Sequence, residues 1–305
     1  MGNVICPEVS PSLSELRSRG STEGPSRKRL AALYKDPSEV RALEHVQGMR
    51  GGSQAQLMRC SDGHYYVVKF RNNPQGTKVL VNELLAHGIA CVLGLPIPPC
   101  ALVDVGQTLI ELTTELIVQT PTGRIPCASG VAFGSRWCAG SWDAPFGLPP
   151  GRVENLEDFW GMFLFDLWTH HVDSRQVVFR RKPSERYQML MIDNGFCFST
   201  EEWRNHANFR QMCSFQGLSA YTKSKEMCST ERSLALCEPW LSRIENRFSL
   251  ERLLSLVELI PAEWVQNPKE WEPLLVALDS RRCLVRELAK DALDSYKRCC
   301  HKVGL

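Results

Sequence analysis

The chain has 305 residues, of which 43% are hydrophobic and 23% charged, so it can bury a large core and has an ordinary globular composition. Its net charge of +2 gives no overall attraction to nucleic acid or an anionic membrane, and no apolar run is long enough to span a bilayer. The 13 cysteines lack the paired spacing of a zinc site and the N-terminus lacks a secretory signal, so we expect reduced thiols in a cytoplasmic protein.

The first segment, residues 1–36, is rich in Ser, Arg, Pro and Gly and has no apolar periodicity. Such a composition buries too little apolar surface to offset the entropy of ordering, so we interpret the segment as a disordered leader. Its start, Met1–Cys6, is similar to a myristoylation signal, but Cys6 stands where serine or threonine is required. We therefore do not expect lipidation.

The sequence takes on a β-like pattern after residue 40. Short runs of β-forming residues predict three strands, at Glu44–Met49, Ala55–Cys60 and Tyr65–Phe70. The loop between the first two reads Arg50-Gly51-Gly52-Ser53-Gln54, in which the glycines let backbone amides approach a phosphate and Ser53 adds a hydroxyl donor. A turn of this composition is more often a simple hairpin, so the loop alone is weak evidence for a phosphate site.

A lysine and a glutamate next suggest an ion pair. Lys69 stands inside the apolar third strand, where a charge flanked by valine and phenylalanine requires a partner. Val79–Leu93 predicts a helix that ends before Gly94 and carries Glu83 early in its length. Such a pair can set the lysine against nucleotide phosphates. The alternative is a half-exposed strand in which Lys69 points to solvent.

The region that follows has weaker signals. Two further strands are predicted around a turn at Gly106, at Val103–Val105 and Leu109–Thr113. Residues 121–150 are rich in Gly, Pro, Ser and Trp, and we interpret them, including Gly130–Trp137, as mostly loop.

The most informative stretch lies in the middle of the chain. Its apolar and aromatic run Phe159–Trp168 predicts a buried helix, and two short β-rich runs, Val177–Phe179 and Met189–Ile192, predict a hairpin. Asp173 precedes the hairpin and Asp193 directly follows it. Because a hairpin brings its ends together, the two acids should converge, where they suit a divalent metal and a proton acceptor. Each aspartate alone could equally be a turn or cap residue.

The last third of the chain is predicted to be mainly helical. The candidate helices are Glu201–Asn208, Ser229–Arg247 interrupted by Pro239, Ser249–Leu259 with a capping serine, a region starting at Pro268, and Cys283–Cys300.

In the order and spacing of its blocks, the chain resembles the HipA-like kinases, bacterial relatives of the HipA toxin kinase, over residues 38–295. The matching blocks are Gly51–Gln54, Tyr66–Phe70, Asn82–Leu84 with Gly94–Pro96, Phe133–Ser135, Phe165–Gln176, Ile192–Gly195 and Ile260–Trp264. The resemblance implies an α+β, two-lobed protein-kinase-like fold, with a β-rich N-lobe at 37–120 and a mainly helical C-lobe at 121–305. It also implies transfer of the terminal phosphate of ATP, with Mg²⁺, to a serine or threonine of a protein.

The same resemblance assigns roles on the nucleotide side of the site. Gly51, Gly52, Ser53 and Gln54 would cover the phosphates. Lys69 would contact those phosphates, and Glu83 would hold the lysine in place.

On the catalytic side, Asp173 would accept the proton of the acceptor hydroxyl and Asp193 would bind magnesium. Kinase catalytic loops place an asparagine five residues after the catalytic aspartate as a second metal ligand, and here that position is Val178. Gln176 or Asn194 could substitute as a neutral oxygen ligand. With neither, the site would hold magnesium less strongly or hold one ion only.

Two other functions stay open at the level of the sequence. A pseudokinase that binds nucleotide or a partner without transfer is favoured by Val178 and opposed by the joint presence of Lys69, Glu83, Asp173 and Asp193. A kinase of small molecules or lipids is also compatible, although no basic membrane-facing stripe supports the lipid version. A helix-turn-helix partner protein is conceivable by analogy with the toxin family, but no basic patch predicts direct DNA binding.

The leader interpretation leads to a first prediction. Deletion of residues 1–36 is expected to leave the thermal midpoint unchanged, because the segment has too few apolar residues to contribute to a core. Differential scanning calorimetry of the shortened and full chains measures this. A fall of several degrees would show that the segment packs against the body of the protein.

Overall fold

The computed structural model describes residues 40–142, 150–198, 230–265 and 271–303. The predicted leader, the predicted helix Glu201–Asn208 and the predicted helix start at Pro268 lie outside these ranges. In the first range, the elements in chain order are β1 (Ala42–Gly48), β2 (Gln56–Cys60), β3 (Tyr65–Lys69), α1 (Lys78–Leu93), β4 (Cys100–Val105), α2 (Gln107–Leu112), β5 (Ile117–Thr120), β6 (Gly123–Pro126), β7 (Gly130–Arg136) and β8 (Ser141–Trp142).

Five of these strands form one antiparallel sheet in the order β1-β2-β3-β7-β4. The three strands predicted first are all present in it, as is the helix α1 that follows them. Strand β3 lies in the middle of the sheet between β2 and β7, so Lys69 at its end is surrounded by structure on both sides.

Two predictions in this region were wrong. Leu109–Thr113 was expected to be a strand, but the chain forms helix α2 there, because a short apolar run fits either structure and only Ile110 is buried. Gly130–Trp137 was expected to be loop, but Gly130–Arg136 is β7, an interior strand of the sheet. A side chain at Gly134 would come within 2.6 Å of Val103, so the glycine that suggested a loop permits close packing instead. The N-terminal sheet therefore includes residues beyond 120, the position at which the N-lobe was predicted to end.

The remaining ranges are mainly helical. Their elements are α3 (Asp158–Thr169), β9 (Gln176–Arg181), β10 (Tyr187–Ile192), α4 (Thr230–Arg247), α5 (Leu250–Val257) and α6 (Trp271–Val303), with 3₁₀ turns at Pro150–Arg152 and Ala262–Trp264. The predicted hairpin is confirmed. Strands β9 and β10 are antiparallel, with Gln176 opposite Ile192 at one end and Arg181 opposite Tyr187 at the other. Among the described residues, no helix is both long and apolar enough to cross a bilayer.

Of two predictions about the C-terminal helices, one is confirmed and one was wrong. Ser249 caps α5 as predicted, because its hydroxyl accepts a hydrogen bond from the backbone amide of Arg252. The expected interruption at Pro239 was wrong, since α4 continues through it. Proline removes one backbone donor, and the burial of Trp240 and Leu241 next to it holds the helix together.

The C-terminal core is built around α3, whose residues from Trp160 to Thr169 are all buried. The fully buried Trp168 donates its indole N–H to the carbonyl of Leu278 in α6, 2.9 Å away. Helix α1 packs in the same core through residues such as Leu84 and Ile89. It therefore joins the N-terminal sheet to the helical part of the molecule.

The tight packing of α3 leads to a second prediction. Gly161→Ala is expected to destabilise the protein, because its methyl group would lie 2.6 Å from Trp240 and 2.7 Å from Leu95, and overpacking this close costs about 2–3 kcal/mol. This cost should exceed the gain of about 1 kcal/mol from better helix propensity. Urea denaturation of the two proteins measures the difference.

The matched control is Gly106→Ala, at a helix start where φ is −66° and nothing lies within 4 Å of the added methyl group. We expect its free energy of unfolding to stay within about 0.5 kcal/mol of the wild type. Equal stability of Gly161→Ala and the wild type would contradict the close approach of α3 and α4.

Candidate active site

A cavity of about 560 Å³ lies between the N-terminal sheet and the β9–β10 hairpin. The end of β1 and the loop after it contribute Gly48, Met49, Arg50 and Ser53, and the hairpin contributes Gln176, Val178, Ile192 and Asp193. The sheet, α1 and the segment after β7 supply most of the rest, including Val67, Lys69, Glu83, Phe133, Arg136 and Cys138. The lining combines apolar side chains with a few ionised groups, which is typical of a site for a small polar ligand with an apolar portion.

Three ionised residues of the lining, Lys69, Glu83 and Asp193, form an ion network. Lys69 Nζ lies 2.5 Å from Glu83 Oε1 and 2.8 Å from Asp193 Oδ1. The other oxygen of Glu83 accepts a hydrogen bond from the backbone amide of Asn194, at 3.1 Å. The lysine and glutamate that the sequence suggested as a pair therefore meet, and the aspartate after the hairpin joins them.

The network keeps Lys69 and Asp193 charged at neutral pH. Burial alone would lower the pKa of Lys69, but the charges of Glu83 and Asp193 outweigh it and raise that pKa above its ordinary value. Burial alone would raise the pKa of Asp193, but the charge and hydrogen bond of Lys69 hold it below the usual range. The site thus presents an ammonium and a carboxylate, both fixed before any ligand arrives.

Asp193 and Gln176 are neighbours in the cavity. Asp193 has a left-handed backbone, with φ of +58°, which turns its side chain out of the end of β10. Gln176 Nε2 donates to Asp193 Oδ2 at 3.0 Å, because the two residues stand at the paired ends of the hairpin. The Asp193 side chain is 29% exposed, so it remains accessible to a ligand.

Asp173 lies at the same end of the hairpin, three residues before Gln176, and is exposed. Its Oδ1 accepts a hydrogen bond from the backbone amide of Ser174, at 2.7 Å. It does not belong to the lining of the cavity among the described residues. The structure thus places Asp193 inside the cleft and Asp173 on the surface beside it.

Four further candidate residues do not belong to the described lining of the cavity. Gln54 does not face the cavity, since its side-chain amide bonds both the carbonyl (2.9 Å) and the amide (2.7 Å) of Gln119 in β5. Gly51 and Gly52 shape the loop, with φ of +126° at Gly51, but the described lining comes from their neighbours. Asn194 is only 2% exposed, so it is not placed to bind a metal in the cleft.

The side-chain amide of Asn194 contacts Arg175, a residue that the sequence analysis did not single out. Arg175 Nη1 donates to Asn194 Oδ1 at 2.8 Å and to the carbonyl of Ile192 at 3.0 Å. Its other nitrogens bond the carboxylate of Asp166 in α3, with Nε 3.1 Å from Oδ2. Burial would lower the pKa of Arg175, but Asp166 raises it above the ordinary value. Arg175 thus fixes the segments on both sides of Asp193.

The sequence did contain a signal for this pair. Asp166 interrupts the apolar run of α3, and a carboxylate inside a buried helix requires a cationic partner. Arg175 is the nearest cation along the chain after the helix ends.

The described residues hold no group of three or more His, Cys, Asp and Glu side chains arranged as a closed metal site. Asp193 is the carboxylate of the hairpin that lines the cleft, and Gln176 Nε2 donates to its Oδ2. Magnesium is usually held by one or two carboxylates, with waters and substrate phosphates completing its shell. The residues present therefore fit an ion that arrives with a phosphorylated ligand. Val178, an apolar residue of the lining, contributes no ligand.

The architecture is that of a kinase-like protein, and the comparison with protein families agrees. The family model described as "HipA-like kinase" matches residues 44–295. The chain belongs to the HipA-like kinase family, and the predicted α+β, two-lobed protein-kinase-like fold is confirmed.

Solved structures of low sequence identity are also similar. The Helicobacter pylori proinflammatory kinase CtkA is 16% identical, with 82% of this chain and 96% of that chain covered and a TM-score of 0.48. The Golgi casein kinase, solved with Mn/ADP bound, is 11% identical, with 95% and 85% covered and a TM-score of 0.47. A search of curated proteins gave no significant match.

The Arg175–Asp166 pair leads to a third prediction. Arg175→Gln and Asp166→Asn are each expected to destabilise the protein by about 3–5 kcal/mol, because each leaves an uncompensated buried charge. The double variant should lose less than the sum of the singles, since the two groups share one interaction. Urea denaturation of the four proteins gives the interaction energy.

The control is the exposed pair Arg181–Glu185, whose side chains are 62% and 71% exposed. Arg181→Gln should cost less than about 1 kcal/mol. Additive losses for Arg175→Gln and Asp166→Asn would show that the two side chains do not depend on each other.

Proposed function

We propose that this protein is an ATP-dependent protein kinase that uses Mg²⁺ and transfers the terminal phosphate to a serine or threonine hydroxyl. Membership of the HipA-like kinase family supports phosphotransfer. The observation that carries the proposal is the Lys69–Glu83–Asp193 network at the base of the cleft. It combines a fixed cation for phosphates with an accessible carboxylate for the metal that accompanies them.

The cleft suits a nucleotide in size and polarity. Its 560 Å³ lies within the range of roughly 300–1,000 Å³ that is typical of small-molecule sites. The apolar lining would hold the base, through side chains that include Val67, Phe133, Val178 and Ile192. The phosphates would then extend toward Lys69, beneath the loop after β1. An ammonium has three donors, so Lys69 can bind a phosphate while it keeps Glu83 and Asp193.

Asp193 and Gln176 would hold the magnesium ion. When bound, the ion bridges the phosphates and neutralises charge that develops during transfer. Asp193 has the charge and the exposure for this role, and Gln176 can offer its amide oxygen after a rotation of the amide group.

Asp173 would orient the acceptor hydroxyl and accept its proton. Only one of its carboxylate oxygens is hydrogen bonded within the described part of the chain, to Ser174. Because Asp173 is exposed beside the cleft and not enclosed in it, the acceptor can be part of a large molecule. This placement favours a protein acceptor over a small molecule.

A pseudokinase is the second candidate, because Val178 places an apolar side chain in the cleft at the position where a metal-binding asparagine was sought. The contact between Gln176 and Asp193 favours catalysis, since it puts a neutral oxygen carrier beside the metal-binding carboxylate.

A fourth prediction separates binding from transfer. ATP with magnesium at ~100 times the dissociation constant should stabilise the wild type by about 2.7 kcal/mol. Asp193→Asn should abolish the part of this stabilisation that requires magnesium, because it removes the carboxylate that holds the ion. Asp173→Asn should keep the stabilisation, since Asp173 addresses the acceptor. Both variants should lose phosphoryl transfer, measured by intact mass after incubation with ATP, magnesium and a generic protein substrate.

Asp291→Asn, an exposed change on α6, is the control and should match the wild type in both assays. A magnesium-dependent shift without transfer would favour the pseudokinase. The absence of any nucleotide-dependent shift in the wild type would refute the ATP site.

A further inference from the structure

The charged residues that line the cleft differ in how far protein partners already engage them. Its described lining includes three cations, Arg50, Lys69 and Arg136, and two anions, Glu83 and Asp193. A nucleotide brings a chain of negative phosphates into this space. Which cation binds these phosphates depends on the protein contacts that each cation already makes.

Two of the cations are already bound to protein groups. Lys69 lies between two carboxylates, which offset most of its charge. Arg136 contacts the His64 ring, with Nη2 2.8 Å from Nε2. Arg50 is exposed and makes no hydrogen bond or ion pair with any other residue in the described ranges. Among the cations of the described lining, it is therefore the one whose charge is not already shared with a protein group.

The loop holds Arg50 in position. The amide of Met49 donates to the carbonyl of Ala55 at 2.8 Å, which closes the loop just before Arg50. On the other side, the side chain of Gln54 is bound at both ends to the backbone of Gln119. Because the loop is held on both sides of Arg50, less entropy is lost when the arginine binds a ligand.

The metal-binding groups give Arg50 a specific task. In the proposed site, Asp193 would hold one magnesium ion together with Gln176 once its amide group has rotated, and Val178 adds no ligand for a second ion. One divalent ion leaves part of the charge of a triphosphate unbalanced. A guanidinium group suits phosphate oxygens because it donates two parallel hydrogen bonds and stays charged at any working pH.

We propose that Arg50 binds the terminal phosphates of the nucleotide and supplies the positive charge that a second magnesium ion would otherwise provide. The inference rests on the proposed nucleotide site and adds a phosphate-binding residue to it.

The test compares ligands that differ only in the number of phosphates. Isothermal titration of adenosine, ADP and ATP, each with magnesium, is carried out on the wild type, Arg50→Gln and Arg50→Lys. Arg50→Gln should weaken ATP binding by about 10- to 100-fold, as expected for the loss of a charge-assisted contact. ADP should lose less than ATP, and adenosine should bind as it does to the wild type. Arg50→Lys should fall between, because it keeps the charge and loses the paired donors.

Arg124→Gln is the matched control, because Arg124 is an exposed arginine of the same lobe, on β6, outside the described lining of the cleft. It should leave all three affinities unchanged. Equal ATP affinity of Arg50→Gln and the wild type would overturn the inference and leave the proposed function standing. An equal loss for adenosine and ATP would also overturn it, since Arg50 would then act on the base or the fold. If the wild type bound none of adenosine, ADP and ATP, the nucleotide site itself would be refuted.

Discussion

The buried contact between Lys69 and two carboxylates is the constraint on which the rest of the site depends. Taking three charges out of water is costly, and the cost is offset only when all three groups meet with good geometry. Lys69 belongs to the sheet, Glu83 to α1 and Asp193 to the end of the hairpin. The two lobes therefore have to approach each other correctly for the network to form.

A second buried network holds the first in place. Arg175 binds Asp166 in the core helix and also the residues on both sides of Asp193. Glu83 in turn accepts the backbone amide of Asn194, so that the two networks share one segment of the chain. A displacement of any one group leaves charges without partners, which gives the site its stiffness.

The motif Ile260–Trp264 links the lobes on another side. The indole of Trp264 donates to the carbonyl of Val131 at 2.9 Å, and Glu263 accepts from the amide of Val131 at 3.2 Å. Glu263 also lies 3.3 Å from Arg71, just beyond the end of β3. These contacts join the turn after α5 to the start of β7. They thereby hold this part of the helical region against the N-terminal sheet.

The sequence by itself determined the local elements and the chemistry they carry. The buried helix around Trp168, the hairpin between Asp173 and Asp193, and the need of Lys69 for a partner all follow from neighbouring residues. Only the tertiary structure decided what depends on distant contacts. It made β7 an interior strand because β3 and β4 flank it, and it bound Asn194 to Arg175 and Gln54 to Gln119. Residues that the local sequence made equally good candidates for the site lie in different places, because their positions depend on long-range contacts that no local pattern encodes.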